Sequence, residues 1–384
     1  MARQKLVLVD GHSLAYRAFH ALPPDLKTSQ GELTNAVYGF TSMLLTVLEE
    51  EKPDYAIVTF DKGPSFRVRD YAGYKAHRAK MPDEMRGQME RVRQIVTVLG
   101  LPIVELEDFE ADDLLGTLSR QAAESGLDVV IVTGDRDALQ LVDDRVMVLT
   151  SGTRFSDTLR YTPEKVREKY GLEPEQLIDL KALMGDKSDN IPGVAGIGEK
   201  GGISLIQTYG SLDALYQHLG NLPARYQKVL DENREIAYLS RHLATIVRTA
   251  PVSLDISSAA VWKHCNREQL LSLMIELEFR SLFRRLPDQI ALVPVKGPAA
   301  QMAMFEEETP AAAPVALGTY HLVADKASLE ALAASLRATL SVSPGTPLTV
   351  DTETTGTNAL QASLVGISLT YREGEAWYLP ILAP

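Results

Sequence analysis

Three short runs rich in Val and Ile, KLVLVD (5–10), YAIVTFD (55–61) and VVIVTGD (129–135), each close on an aspartate. Amphipathic stretches of helical length separate them, among them AVYGFTSMLLTVLEEE (36–51) and EADDLLGTLSRQAAES (110–125). Strands alternating with helices predict a parallel sheet covered on both faces, because a parallel neighbour is reached only through a crossover. Ligands of such sheets sit beyond the carboxyl ends of the strands. Asp10, Asp61 and Asp135 are therefore expected together on one rim.

At 384 residues the chain has room for more than one core. From Thr162 to about Leu286 the strand signal fades, and helical segments run from TPEKVREKYG to REQLLSLMIELEF. Beyond them a Pro- and Ala-rich stretch without a period reads as a linker. A strand, the helix KASLEALAASLRATL and at least two more strands follow. The expected division is an α/β domain over 1–165, a helical subdomain over 166–290, a linker over 291–317 and a short tail over 318–384. Apolar runs are strand-sized, well below the roughly 20 residues of a membrane helix, and MARQKLVLVDG lacks the apolar centre of a signal peptide. The one cysteine, Cys265, excludes an internal disulfide framework. A cytoplasmic protein without membrane contact is expected.

A net charge of -12 disfavours nucleic acid as a partner, but net charge averages over faces. Between Lys62 and Arg93 nine basic residues stand against four acidic ones. Clustered in this way they can neutralise phosphates. The plainer reading is a solvated helix face.

Glu110, Asp112, Asp113, Asp137, Asp186 and Asp189 join the three strand-end aspartates as candidates. Glu110 and Asp113, three apart at a helix start, are expected to share a face, with Asp112 turned partly aside. Each acid alone has an innocent role as a turn or cap residue. Gathered on one rim, unpaired carboxylates raise one another's pKa, so a cation is expected among them. Hard oxygen donors without His or Cys select magnesium or manganese over zinc. The group is large enough for two ions, which at about 4 Å apart support in-line displacement at phosphorus. Downstream, GVAGIGEKG has the form of a glycine turn opening a helix. Gly193, Gly196 and Gly198 would let backbone approach a phosphate, and Lys200 adds a charge. A plain helix-connecting turn is the alternative.

LVDGHSLAYRAFHAL, VTFDKGPSFR, YKAHR, FEADDLLGTL, VTGDRDALQLV and GDKSDNIPGVAGIGEK, in this order and spacing, resemble the 5′-nuclease domain of bacterial DNA polymerase I, within the flap endonuclease superfamily. The resemblance covers roughly residues 1–290. It implies a PIN-like parallel sheet followed by a helix-hairpin-helix-like DNA-binding subdomain. It further implies a first metal site of Asp10, Asp61, Glu110, Asp112 and Asp113, and a second of Asp135, Asp137, Asp186 and Asp189. Lys75 and Arg78 would steer the scissile phosphate, with Tyr16 near the substrate's path. The implied substrate is double-stranded DNA with a 5′ flap, nick or primer RNA, cut by a monomer using two Mg2+ or Mn2+ ions, with K+ at the clamp. Such a nuclease would act in replication and repair.

Two places depart from that pattern. Gly201 and Gly202 follow Lys200 where the family usually places a good helix former, and each glycine costs about 1 kcal/mol relative to alanine. Asp351 and Glu353 in TVDTETTG resemble the first motif of a 3′-to-5′ exonuclease domain, of RNase H-like fold. The later acidic motifs of that domain are absent from this sequence, so the pair is expected to be vestigial. Two other readings are a DNA-junction binding module without catalysis and a haloacid-dehalogenase-type phosphatase. The second needs an aspartate where this chain has His12.

Overall fold

A computed structural model describes residues 3–151, 158–287, 319–343, 347–354, 364–372 and 374–381. The chain divides into two compact units, Met1–Met302 and Ala303–Pro384. The first holds strands β1 (Lys5–Asp10), β2 (Tyr55–Thr59), β3 (Ile103–Val104), β4 (Asp128–Val132), β5 (Val146–Ser151) and β6 (Thr158–Tyr161) in the order β3-β2-β1-β4-β5-β6. All neighbours are parallel except β5 and β6. The three strands legible in the sequence, β2, β1 and β4, form the middle of this sheet. Middle strands are buried on both faces and so read as continuous apolar runs. From β1 the chain builds first toward β3 and then, on the other side, toward β6, which makes the rim between β1 and β4 the switch point where a crevice opens.

The helices are α1 (Gly11–Ala21), α2 (Asn35–Glu51), α3 (Phe66–Asp70), α4 (Asp83–Val98), α5 (Ala111–Glu124), α6 (Pro163–Tyr170), α7 (Gln176–Met184), α8 (Glu199–Tyr209), α9 (Leu212–Gln217), α10 (Ala224–Glu232), α11 (Arg234–Ala244) and α12 (Arg267–Glu276). Side chains alternate across the sheet as a period of two requires. Leu6, Leu8, Val129 and Ile131 pack with Leu115 and Leu118 of α5. Val7, Val9, Val58 and Val130 pack on the other face with Phe40 and Leu44 of α2 and Val92 of α4. The first of these cores continues without interruption into α6–α11 through Leu177, Leu180, Ile206 and Leu215.

The segment REQLLSLMIELEF, expected in the helical subdomain, forms α12 and packs through Leu270, Leu273 and Met274 into the opposite core with Met85 and Ile95 of α4. The chain is led there by pairing at the start of β2, where the Ala56 N–H donates to the Ala259 carbonyl at 2.8 Å and the Val261 N–H to the Asp54 carbonyl at 3.0 Å.

The second unit has a four-stranded sheet, order β7-β10-β9-β8, from β7 (Thr319–Leu322), β8 (Thr349–Thr354), β9 (Leu364–Arg372) and β10 (Glu375–Pro380). Helix α13 (Lys326–Val342) starts at a capping box between Asp325 and Ser328. Its small core joins Val323, Leu332, Tyr371 and Trp377. The expected linker lies outside the described residues. Among the described residues, no helix is long and apolar enough to cross a membrane.

Candidate active site

The crevice at the carboxyl rim is a cleft of about 1230 Å³ lined by Asp10, Asp61, Glu110, Asp112, Asp135, Asp137 and Asp186, with Tyr16, Lys75 and Arg78. Local folding rules place the acids. Asp10 ends β1 and caps α1, accepting from the Ser13 N–H at 2.9 Å and from the Thr133 hydroxyl at 2.8 Å. Asp61 accepts from the Ala111 N–H at the start of α5, at 2.7 Å. Asp135 accepts from the Asp137 N–H at 2.9 Å. The innocent turn and cap roles are thus real, and they fix the carboxylates where they meet.

Three of the cleft acids, Asp10, Asp112 and Asp137, resist ionisation. Burial, then the nearby Asp61 and Asp135 charges, push Asp10 up to about 7. Burial and Asp135 push Asp137 up to about 7 as well. Asp112 is driven well above the usual carboxylate range by burial and by Asp135 and Asp10, and its buried Oδ1 has no hydrogen-bond partner. A buried acceptor without a partner is costly. His12 is not a spare ligand: its Nδ1 accepts from the Asp61 N–H at 3.1 Å, and burial pushes its pKa down.

Asp113 does not join the cleft, contrary to expectation. Glu110 is the N-cap of α5 with extended backbone, φ -86° and ψ 160°, so the helical three-residue spacing does not apply to it. Asp113 instead turns back, accepts from the Glu110 N–H at 3.1 Å and takes a two-pronged pair from Arg67, both bonds 2.8 Å. It is fully buried. Asp112, expected partly aside, is the residue that faces Asp10 and Asp135.

Cations stand between the acids. Lys75 Nζ lies 2.9 Å from Glu110 and 3.6 Å from Asp189. The Tyr74 hydroxyl donates to Glu110 at 3.0 Å and to Asp189 at 3.2 Å, and Arg78 pairs with Asp189. Asp189 therefore sits behind the cleft wall, hydrogen-bonded by Tyr74 and Arg78 with the Lys75 ammonium nearby. Lys181 of α7 bonds Asp137 and lies 2.5 Å from Asp186. Its hydrogen bonds help to hold Asp186 down at about 2 despite partial burial. Sequence reasoning missed Tyr74 and Lys181. The signal for Lys181 was a lysine in the otherwise apolar helix turn LKALM, directly ahead of GDKSD. Among the described residues, no three acids already form a cation site. The donor chemistry nevertheless fits hard divalent ions: the acids are oxygen donors, and Asp112 Oδ1 lacks any partner.

Asp186 and Ile191 close a tight loop through paired backbone bonds of 2.9 and 2.8 Å. Gly193, expected at a phosphate, serves packing: at φ 64° a Cβ would lie 2.2 Å from the Gly185 nitrogen. Gly196, at φ 87°, has open space around it. Gly198 caps α8 without a side chain, leaving the first N–H groups of the helix to other partners, and Lys200 is exposed in the first turn. Gly201 and Gly202 lie inside α8, and a Cβ on Gly202 would meet Leu180 Cδ1 at 2.8 Å. The Lys62–Arg93 segment is not one phosphate-facing stripe. Arg67 is buried, Arg91 pairs with Glu32 at 2.7 Å and Arg93 with Glu105 at 2.7 Å, whereas Lys75 and Arg78 reach the cleft. In the second unit Asp351 and Glu353 lie exposed on β8, opposite Ser368 and Gly366.

Acids thus gather at the carboxyl rim of a parallel sheet, beside a glycine turn that opens a helix. Residues 5–171 match the family described as 5′-3′ exonuclease, N-terminal resolvase-like domain, and residues 172–268 match 5′-3′ exonuclease, C-terminal SAM fold. The chain belongs to the 5′-3′ exonuclease family. DNA polymerase I of Chloroflexus aurantiacus is 45% identical over 402 residues, 99% of this chain and 42% of that protein. DNA polymerase I of Bacillus subtilis is 43% identical over 291 residues, 75% of this chain and 33% of that protein. The chain thus spans less than half the length of these relatives. A solved structure of T5 5′-exonuclease with divalent metal ions (zinc) bound is 25% identical and covers 64% of this chain and 90% of its own, with a TM-score of 0.55.

Proposed function

We propose that this chain is a structure-specific 5′ nuclease that hydrolyses phosphodiesters at flaps, nicks and primer ends of double-stranded DNA during replication and repair. The observation that carries the reading is the cleft where acids from three strand ends and the α5 start converge, with Asp112 Oδ1 buried and unpartnered. Asp10, Asp61, Glu110 and Asp112 would hold one Mg2+ or Mn2+ ion. Asp135, Asp137 and Asp186 would hold a second, with Asp189 at its edge. Bound there, divalent ions supply an activated water and stabilise the departing oxygen.

The protein's own groups do the rest. Lys75 and Arg78 bind the phosphate to be cut and hold it against the acids. Tyr16 lines the approach and stacks on His20, ring centroids 6.3 Å apart. The Gly196–Gly198 turn and Lys200 take the duplex backbone at the open start of α8, with a potassium ion at the turn. Residues 1–165 would form the nuclease domain, 166–290 the DNA-binding part, 291–317 a linker and 318–384 a partial exonuclease-like domain. The protein would act as a cytoplasmic monomer.

The test is cleavage of a labelled 5′-flap duplex with Mg2+. Wild-type protein is expected to release the flap, and Asp112→Asn to lose at least about a hundredfold in rate, the scale of a lost metal contact. Binding of the flap in EDTA without turnover when Mg2+ is restored defeats the proposal in favour of a non-catalytic junction binder.

A further inference from the structure

The two ends of the acidic cleft are neutralised differently. Near Asp10 and Asp112 there is an orphaned carboxylate oxygen, and Lys75, whose charge reaches Asp112, pairs with Glu110 and Asp189 instead of spanning these two acids. Near Asp137 and Asp186 an ammonium already spans the pair: Lys181 Nζ bonds Asp137 and lies 2.5 Å from Asp186 Oδ2. The lysine is four-fifths buried, its side chain 20% exposed, and it leaves from the last turn of α7, one turn before the Gly185–Asp186 break. Its helix is held by the shared core at Leu180 and Leu183, so the ammonium is delivered to this point by the fold and not by a wandering surface chain.

We propose that Lys181 is a tethered cation that occupies the second acid group when no divalent ion is there, and that a divalent ion binds at Asp137 and Asp186 only by displacing it. The inference rests on the metal-site reading above. A charged group in contact with two carboxylates must surrender both hydrogen bonds before a metal can use the same oxygens. The lysine thereby holds Asp137 and Asp186 together without metal, and it sets a threshold that makes the second ion bind more weakly than the first. Lys181 is thus a positioning residue whose role is read in metal affinity. The lysine stays charged throughout, so the device needs no proton transfer.

Calorimetric titration of the full chain with Mn2+ alone tests this. Wild type is expected to bind one ion tightly and a second weakly. Lys181→Met should tighten the second ion by about tenfold or more, the scale of one charged contact no longer given up, and leave the first unchanged. Lys181→Arg, which keeps the charge, should stay near wild type. As a check that needs no variant, amine acylation of wild-type Lys181 read by mass spectrometry should rise when Mn2+ is added. An unchanged or weakened second ion in a folded Lys181→Met, or Lys181 acylation indifferent to Mn2+, overturns the inference. If instead Asp112→Asn binds Mn2+ as wild type does, the metal-site reading itself fails, which is a distinguishable result.

Discussion

Glu110 and Asp112 are two residues apart, and so are Asp351 and Glu353, yet the two pairs live in different surroundings. The first stands where a helix start meets the rim of a six-stranded sheet. Glu110 is met by Lys75, Tyr74 and Ser65, and Asp112 faces Asp10 and Asp135. The second lies on an exposed strand, where Asp351 bonds the N–H of its neighbour Thr352 at 3.0 Å. Water can solvate the second pair fully. In the first pair burial removes that option for Asp112, and a cation becomes the remaining way to stabilise its charge. Spacing alone does not make a site; the enclosure built around it does.

The largest expected effect tests that enclosure. Arg67 is 2% exposed and donates to Asp113, to the Leu243 carbonyl at 2.9 Å and to the Thr245 carbonyl at 2.6 Å. It ties α3, the start of α5 and the carboxyl end of α11 into one support behind Glu110. Arg67→Met leaves Asp113 buried without its counter-charge, held only by the Glu110 and Val247 N–H groups, which costs about 3–5 kcal/mol. Denaturant unfolding should show that loss. A change below about 1 kcal/mol would mean that the cleft is held from elsewhere.

A second, smaller effect is a pH dependence that the exposed pair cannot produce. Asp10 and Asp137 each move from an ordinary 3.8 to about 7 on folding. Between those values the folded protein keeps protons that the unfolded chain has released, so stability falls as pH rises through this window. The contribution is whole below 3.8 and gone above about 7. Asp186, held near 2, acts in the opposite sense, but only below the window. Melting temperature in EDTA should therefore decline from about pH 4 to about pH 7, and excess Mg2+ should flatten the decline by binding the ionised acids. An equal slope with and without Mg2+ would break the link between burial and metal demand.

The sheet, its central strands and the rim were legible because doubly buried strands write themselves as apolar runs and the aspartates ended those runs. The edge strands β3, of two residues, and β6, of four, were not, being too short to write such a run. Asp113 was misread because helical spacing was applied to Glu110, whose backbone is extended; a capping box puts its fourth residue beneath the cap, not beside it. The fate of α12 hung on a long-range backbone pairing at Ala259, which no local pattern announces. Lys181 was hidden because a single lysine in a helix is ordinarily solvent-facing, and only the folded neighbourhood shows which acids it meets.

The smallest expected effect is a null result that carries the comparison. Replacing Asp351 and Glu353 together, by Asn and Gln, removes two charges from an exposed strand whose backbone ladder with β9 does not depend on them. Exposed charges of this kind contribute within about 0.5 kcal/mol. The double variant should therefore cleave the flap duplex at the wild-type rate, bind Mn2+ with the wild-type stoichiometry and keep the same pH slope in melting temperature. A lost ion in the titration would show that two exposed carboxylates on one strand suffice to hold a divalent cation. Burial would then no longer be what separates this pair from Glu110 and Asp112.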